Sequence, residues 1–225
     1  MQETSTNKSK YESKNPLQRA LIKGFYRELT KCLDAAGASS SANLYEAGCG
    51  EGYVAAHVCD RYPNLFVSAS DLSEQATEEA AEREPRARFT SANVCNLPEP
   101  DNSYDIVIVS EVLEHLETPD YALNECLRIS NKYVIVSVPN EPFFRMSNAL
   151  AGKYWTVEGA GRQAGRQAGR QAGLSLSTRI SQIGNSPGHI QHFNLNTMLE
   201  LLKRHADIVL IKKPFPWLLF LIQKR

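Results

Sequence analysis

The amino-acid sequence predicts an α/β fold, a doubly wound and mostly parallel seven-stranded sheet with helices on both faces. First, strand-like and helix-like segments alternate with short links from residue 43 onward. Second, residues 106–109 form a continuous apolar run, which is typical of a strand covered on both faces. Third, a glycine-rich turn follows the first strand directly. Right-handed crossovers between such units give a parallel sheet.

Apolar periodicity gives the bounds of the predicted elements. Residues 16–36 predict a helix, whose apolar stripe comprises Leu17, Leu21, Phe25, Leu29 and Leu33. Further helices are predicted at residues 53–61, after the cap residue Ser73, and at residues 119–129. The last two strands form a closing hairpin, which puts an antiparallel strand at or near the sheet edge. The predicted strands are residues 43–47, 65–71, 88–91, 104–110, 133–138, 206–211 and 217–223.

The composition indicates one ordinary domain with an appended arm or lid. The chain has 225 residues, 42% of them hydrophobic, and its 25 basic and 25 acidic side chains cancel. A chain without net charge has no overall electrostatic field that would attract nucleic acid or an anionic membrane. Five scattered cysteines without a Cys-x-x-Cys pair argue against a zinc knuckle and a disulfide framework. The polar N-terminus and the shortness of the longest apolar run, residues 215–222, predict a cytoplasmic protein without a membrane span.

Residues 141–191 interrupt the alternation of strands and helices. They contain three perfect tandem copies of Gly-Arg-Gln-Ala at residues 161–172. One interpretation is an expanded surface loop, since a period of four is too short for a solenoid unit. The other is a flexible basic lid over a substrate. We therefore divide the chain into a polar N-terminal arm, residues 1–15, and a domain, residues 16–225, in which residues 141–191 are a lid or substrate segment.

The glycine-rich turn carries the clearest chemical signal. Its sequence, Glu-Ala-Gly-Cys-Gly-Glu-Gly at residues 46–52, stands at the carboxyl end of the first strand, where ligands bind in open α/β sheets. The glycines let the backbone approach a ligand, and the following helix points free N–H groups at it. Asp71, at the tip of the second strand, can accept both hydroxyl protons of a ribose. The Gly-x-Gly-x-Gly spacing disfavours a nicotinamide dehydrogenase, whose fingerprint is Gly-x-Gly-x-x-Gly.

The motifs around this turn resemble those of the class I S-adenosylmethionine-dependent methyltransferases. Residues 44–52 resemble the family's first motif, residues 70–73 its ribose-binding strand end, residues 93–98 the segment beside adenine and residues 103–116 its fourth-strand motif. Residues 11–16 resemble an N-terminal arm that folds over the cofactor in some members. The resemblance implies S-adenosylmethionine as the cofactor. The implied cofactor-binding residues are Tyr11, Glu46, Gly48, Gly50, Gly52, Asp71, Leu72, Asn93, Val94 and Ser110.

Acidic and histidine side chains after the fourth strand and near residue 190 are the candidates for activating a methyl acceptor. A general base helps when the acceptor is a hydroxyl, and the candidate catalytic residues are Glu111, His115 and His192. Residues 111–115 also resemble a segment of ubiquinone-pathway O-methyltransferases, where carboxylates and histidines can hold a divalent metal. A metal is the less favoured interpretation, the alternative being a backbone hydrogen bond from His115. The candidate metal ligands are Glu111, Glu114, His115 and His189.

The favoured function is transfer of a methyl group from S-adenosylmethionine to an oxygen, or less favourably a nitrogen, of a small-molecule acceptor. The segment after the fourth strand is not Asn/Asp-Pro-Pro-Tyr/Phe, which disfavours methylation of DNA bases. A second hypothesis is a methyltransferase that acts on RNA or protein through the arginines of the repeat. A third is a non-catalytic cofactor-binding subunit, which predicts an exposed apolar patch near residues 215–220. The sequence leaves the oligomeric state open.

Overall fold

A computed structural model of the chain describes residues 6–40, 42–144 and 189–225. In these residues, seven strands form one sheet in the order β3-β2-β1-β4-β5-β7-β6. Strand β7 is antiparallel to both of its neighbours, and the other pairs are parallel, which confirms the predicted sheet and its closing hairpin. The strands are β1 Asn43–Ala47, β2 Phe66–Asp71, β3 Arg88–Ser91, β4 Tyr104–Ser110, β5 Ser130–Pro139, β6 Ala206–Lys212 and β7 Trp217–Lys224.

Three of the described helices begin where a capping side chain supplies an acceptor for free N–H groups. Asn15 accepts a hydrogen bond from the Leu17 backbone N–H, and Pro16 holds the first helical position of α2. Ser73 accepts a bond from Ala76 and caps α4, as predicted. The described helices are α1 Thr6–Tyr11, α2 Pro16–Ala35, α3 Tyr53–Arg61, α4 Glu74–Arg83, α5 Pro119–Ile129 and α6 Leu195–His205, with a 3-10 turn at Leu113–His115.

Strand β4 lies between two apolar cores, one on each face of the sheet. Ile106 and Ile108 pack into the core that contains Phe25 of α2. Val107 and Val109 point to the opposite face, into the core that also holds side chains of α5 and α6. Burying such a side chain contributes about 1.5–3 kcal/mol. This burial on both faces explains why residues 106–109 form a continuous apolar run.

One expectation about burial is wrong, and one feature that the hypothesis of a non-catalytic subunit predicts is missing. Leu17 is 59% exposed, because the buried stripe of α2 starts at Ile22 and its spacing of three and four residues leaves Leu17 off that face. The apolar patch expected near residues 215–220 is also missing from the surface of the described chain. Phe215 is exposed, but Trp217 and Phe220 are buried, because β7 is an interior strand between β5 and β6.

Other sequence predictions concern thiols, membranes and the interrupted segment. The five cysteines are free thiols, and four of them are buried. Among the described residues, no helix is both long and apolar enough to cross a membrane. The Gly-Arg-Gln-Ala repeats and most of the predicted lid or substrate segment lie outside the described residues.

Candidate functional site

The strand order reverses between β1 and β4, and this reversal locates the site. From β1 the chain proceeds to β2 and β3 on one side, whereas β4, β5 and β7 lie on the other. Ala47 pairs with Val109, so the carboxyl ends of β1 and β4 stand side by side. Ligands of open α/β sheets bind in the crevice at such a switch point. Two groups of residues meet at this edge of the sheet.

The first group, which we call the glycine-turn region, comprises residues 46–52 and Asp71. Its shape is held by main-chain groups of the neighbouring strand, since the N–H groups of Gly48 and Cys49 both donate to the Ser70 carbonyl, at 2.7 and 2.9 Å. Asp71 Oδ2 accepts from Gly50 N–H at 2.8 Å, and its Oδ1 accepts from Ser73 N–H at 3.0 Å. The carboxylate of Asp71 is thereby fixed at the tip of β2.

Two glycines of this region occupy positions that other residues would strain. Gly48 has a φ of +77°, and a Cβ there would collide with the side chain of Val112. Gly52 has a φ of +76°, and its added Cβ would lie 2.8 Å from the Cβ of Ala80. Only glycine adopts such left-handed angles without steric cost. The spacing of glycines therefore has a structural cause at these two positions.

Buried carboxylates lie within and next to the turn. Glu46 is 2% exposed and Glu51 is 3% exposed, and Oε2 of each has no hydrogen-bond partner among the described residues. Burial raises the pKa of Glu46 well above its usual range, against a smaller lowering by the Ala55 backbone. An unsatisfied buried acid is costly in a folded protein. Such an oxygen is suited to a ligand that brings a donor or a positive charge.

Tyr11, at the end of α1, lies between the two groups of residues. Its ring stacks on Tyr53 with centroids 4.5 Å apart. Burial raises the pKa of Tyr11, and the carboxylates of Glu111, Glu46 and Glu51 raise it further. Its phenol is therefore within electrostatic reach of acids from both sides of the switch point. The end of α1 thus contacts this edge of the sheet, through Tyr11 on Tyr53 and Lys10 on Glu111.

The second group, which we call the acid–histidine region, brings together side chains from distant parts of the chain. Glu111 follows β4 with a φ of +58°, a left-handed angle that is uncommon for a residue with a Cβ. Its Oε2 accepts from the indole N–H of Trp217 at 2.7 Å and pairs with Lys10 Nζ at 3.4 Å. Its Oε1 accepts from the Ser137 hydroxyl at 3.3 Å. The region comprises Lys10, Glu111, Glu114, His115, Ser137, His189 and Trp217.

Three members of this region form a cluster with the composition of a metal site. Glu114, His115 and His189 each offer a ligand atom, and these atoms lie within 4.8 Å of one another. Glu114 is 1% exposed, and neither of its carboxylate oxygens has a hydrogen-bond partner in the described part of the chain. Burial, followed by the charge of Glu111, raises the pKa of Glu114 well above its usual range. Two imidazoles and one carboxylate suit a borderline cation such as Zn²⁺ or Fe²⁺.

The segment around residue 190 is attached to the turn after β4 by its backbone. The N–H groups of Ile190 and Gln191 both donate to the Glu114 carbonyl, at 2.8 and 2.9 Å. His189 packs edge-on against His115, with centroids 4.9 Å apart, and burial lowers its pKa to about 4, with a smaller contribution from His115. The His192 side chain is exposed.

The remaining predicted residues lie along the same edge with fewer contacts. Ser110 ends β4 and shares a hydrogen bond of 2.8 Å with Ser137. Leu72 follows β2, and its side chain is 74% exposed. Asn93 and Val94 follow β3, beside Asp71, since the preceding residue Ala92 donates to the Asp71 carbonyl at 2.9 Å. Leu72, Asn93, Val94 and Ser110 thus lie at or just beyond the carboxyl ends of β2, β3 and β4.

Three residues of the acid–histidine region were missed by the sequence reasoning. Lys10, Ser137 and Trp217 contact Glu111 across 101, 26 and 106 residues of chain. No local motif marks any of them. Only Trp217 had an indirect indication in the sequence, since it was predicted to begin a strand of the closing hairpin.

The comparisons with known proteins agree with this geometry. Residues 45–135 match the sequence family described as "Methyltransferase domain". A probable S-adenosylmethionine-dependent methyltransferase of Mycobacterium tuberculosis is 36% identical over 107 residues, which are 47% of this chain and 38% of that protein. Norajmaline N-methyltransferase of Rauvolfia serpentina is 26% identical over 93 residues, or 39% of this chain and 32% of that protein. The chain therefore spans well under half the length of these relatives.

A solved structure shows the same fold. Magnesium protoporphyrin IX methyltransferase from Synechocystis PCC 6803, with bound SAH, superposes with a TM-score of 0.63 at 15% identity, over 94% of this chain and 88% of that one. At this identity the likeness shows the fold alone. The chain has this Rossmann-like fold, and residues 45–135 within it are similar to S-adenosylmethionine-dependent methyltransferases, as the motifs predicted.

Proposed function

We propose that the protein transfers a methyl group from S-adenosylmethionine to an oxygen, with nitrogen as the less favoured alternative, of a small-molecule acceptor. The observation that carries this proposal is the glycine-turn region at the switch point. There, Asp71 holds the Gly50 backbone at 2.8 Å, and Gly48 leaves no room for a side chain. The acid–histidine region lies on the other side of Tyr11 and supplies the groups that would act on the acceptor.

The glycine-turn region fits the chemistry of the cofactor. Each oxygen of Asp71 accepts one backbone N–H, and a carboxylate oxygen has a second lone pair for a ribose hydroxyl. The unpartnered Glu46 Oε2 suits the positive charge of the cofactor's amino or sulfonium group. We assign cofactor binding to this region and to the predicted residues beside it, which are Tyr11, Leu72, Asn93, Val94 and Ser110.

The bound cofactor supplies an electrophilic methyl group on a sulfonium, and the protein's task is to align an acceptor with it. Among the candidate bases, we favour His115. Glu111 already accepts bonds from Trp217 and Ser137 and pairs with Lys10, and the lowered pKa of His189 makes it a weak base at neutral pH. His115 is exposed at the end of the 3-10 turn, beside the buried Glu114, where it can take a hydroxyl proton from the acceptor.

A metal-assisted form of the reaction uses the same cluster differently. Glu114, His115 and His189 would hold a divalent cation, which lowers the pKa of a bound acceptor hydroxyl. Glu111 is the less suitable ligand of the four predicted candidates, since its oxygens already have partners. Activity that is lost on dialysis against a chelator and restored by a divalent cation would select this form. Activity that is indifferent to the chelator would exclude it.

Substrate choice is assigned to residues 141–191, as the sequence suggested. The described ends of this segment support the assignment, because the rings of Phe144 and His189 stack with centroids 5.6 Å apart. The segment therefore leaves and re-enters the described chain at the acid–histidine region.

Calorimetric titration of the full chain with S-adenosylmethionine and with S-adenosylhomocysteine tests the cofactor assignment. We expect micromolar dissociation constants for the wild type. Asp71→Asn removes one of the two carboxylate acceptors, so we expect binding to weaken about tenfold to a hundredfold. The matched control is Asp101→Asn, an exposed acid paired with Arg128 at 2.8 Å, which should bind both compounds like the wild type.

A folded wild-type protein that binds neither compound would contradict the proposal. If binding is found, transfer of an isotope-labelled methyl group to panels of phenols, alcohols and amines decides between oxygen and nitrogen. Methyl transfer to amines alone would overturn the preference for oxygen, and transfer to RNA or protein alone would overturn the small-molecule assignment.

A further inference from the structure

Lys10 lies in a setting that is unusual for a lysine of a polar arm. Its Nζ lies 4.9 Å from the centroid of the Trp217 ring, 5.1 Å from that of the Tyr11 ring and 3.4 Å from Glu111 Oε2. Its side chain is 17% exposed. Ammonium groups normally remain in water, because removing them from it is costly. The enclosed position of the Lys10 ammonium therefore indicates that its surroundings stabilise a positive charge.

Tyr11, Glu111 and Trp217 together have the components of a cation cage. Aromatic faces attract a cation through their quadrupole, and a carboxylate adds negative charge. Trp217 Nε1 donates to Glu111 Oε2 at 2.7 Å, which orients the indole ring and the carboxylate relative to each other. Tyr11 is fixed by its stack on Tyr53. None of these contacts uses the Lys10 ammonium, so the cage should keep its shape when that group leaves.

The position of the cage associates it with the acceptor. Trp217 pairs with Pro139 at the carboxyl end of β5, on the side of β4 away from Asp71. The ring of Phe144 lies 6.3 Å from that of Trp217 and also stacks on His189. The cage is thus continuous with the region assigned to acceptor activation, and through Tyr11 it also borders the glycine-turn region.

We propose that this cage receives a positively charged group of the methyl acceptor, an ammonium or alkylammonium, and that Lys10 occupies it as an intramolecular competitor. The acceptor binds by displacing the lysine. The inference rests on the proposed function and adds to it a substrate class, a cationic small molecule. The sulfonium of the cofactor is a second source of the same charge, and the experiment separates the two.

The test is calorimetric titration of the full chain with tetramethylammonium. Lys10→Ala empties the cage, so we expect it to bind the probe about tenfold more tightly than the wild type. Lys10→Arg keeps a competing cation and should bind it as weakly as the wild type. Lys8→Ala is the matched control, because Lys8 is an exposed lysine of the same helix. Thermal unfolding verifies that each variant is folded.

Several outcomes would overturn the proposal. A purely structural role of Lys10 predicts that Lys10→Ala binds the probe no better than the wild type. A gain that persists after Trp217→Leu is added to Lys10→Ala would show that the probe binds elsewhere. If Lys10→Ala instead tightens the binding of S-adenosylmethionine relative to that of S-adenosylhomocysteine, which lacks the sulfonium, and leaves binding of the probe unchanged, the cage belongs to the cofactor. Failure of the wild type to bind S-adenosylhomocysteine contradicts the proposed function separately, because that compound lacks the sulfonium charge.

Discussion

The glycine-turn region and the acid–histidine region lie at the same edge of the sheet, yet they are built in different ways. In the glycine-turn region the shape is held mainly by hydrogen bonds from backbone N–H groups. Gly48 and Cys49 donate to the Ser70 carbonyl, and Gly50 donates to Asp71. These partners come from one strand–turn–helix unit and the tip of the next strand.

The acid–histidine region is built from side chains that are far apart in sequence. Glu111 alone contacts the N-terminal arm through Lys10, β5 through Ser137 and β7 through Trp217. The glycine-turn region therefore depends on backbone conformation, whereas the acid–histidine region depends on charge and side-chain contacts. The two halves should therefore respond differently to substitution and to pH.

The largest effect is expected for Gly48→Ala in the glycine-turn region. The left-handed angle of Gly48 costs a residue with a Cβ about 1–2 kcal/mol, and the clash with Val112 adds to that cost. We expect a lower urea midpoint and loss of measurable S-adenosylmethionine binding by calorimetry. The double variant Gly48→Ala with Val112→Ala relieves the clash and should recover part of the stability.

The matched control is Gly24→Ala in the interior of α2. A Cβ on Gly24 would meet nothing within 4 Å, and its φ is not in the left-handed region. The change should stabilise the protein by about 0.5–1 kcal/mol. If Gly48→Ala matched Gly24→Ala in stability and cofactor binding, the glycine-turn region would not depend on backbone conformation.

The contrast between the two regions also explains what the sequence could predict. The predicted bounds of β4 match the structure, because a strand buried on both faces gives an uninterrupted apolar run. The glycine turn and Asp71 were recognisable because their contacts are local or separated by one helix. Leu17 was misplaced because the sequence stripe was continued at a spacing of four, whereas the buried face of α2 runs through Ile22 and leaves Leu17 to one side.

The contacts of the acid–histidine region could not be predicted in the same way. The sequence made Glu111 a candidate base and metal ligand, but its partners Lys10 and Trp217 lie 101 and 106 residues away. Their proximity depends on the antiparallel register of β7 against β5 and on where the arm docks. These contacts cannot be predicted from the spacing of residues in the sequence, because they form only when the sheet is assembled.

A smaller effect is expected for Glu111→Gln, which tests the role of charge in the acid–histidine region. The amide retains one acceptor but loses the ion pair with Lys10. We expect a loss of about 1–2 kcal/mol in the free energy of unfolding, because the contacts are largely shielded from water. Emission of Trp217, recorded in a Trp155→Phe background, should also shift, since its indole N–H donates to this carboxylate.

Glu117→Gln is the matched control for this charge, because Glu117 is an exposed acid in the same turn. It should leave both the urea midpoint and the emission unchanged. Equal behaviour of the two variants would mean that the contacts of Glu111 add nothing to stability.

The smallest effect is a pH dependence that comes from His189. Burial lowers its folded-state pKa to about 4, whereas an unfolded histidine titrates near its ordinary value of about 6.5. Between these values the unfolded chain binds more protons, so the free energy of unfolding falls as the pH drops. The substitution His189→Gln removes the contribution of this histidine to the pH dependence of stability. We expect the wild type to lose about 1 kcal/mol relative to this variant between pH 7 and pH 5, after allowance for partial exposure.

Urea unfolding at a series of pH values measures this difference. Below pH 6.5 the stability of His189→Gln should change less with pH than that of the wild type. Glu114 acts in the opposite sense, since its raised pKa makes stability fall as the pH rises above the ordinary carboxyl range. Glu114 is present in both proteins, so its contribution largely cancels from the comparison. Parallel curves for the two proteins would mean that His189 is solvated, and that the acid–histidine region is more open to water than its contacts indicate.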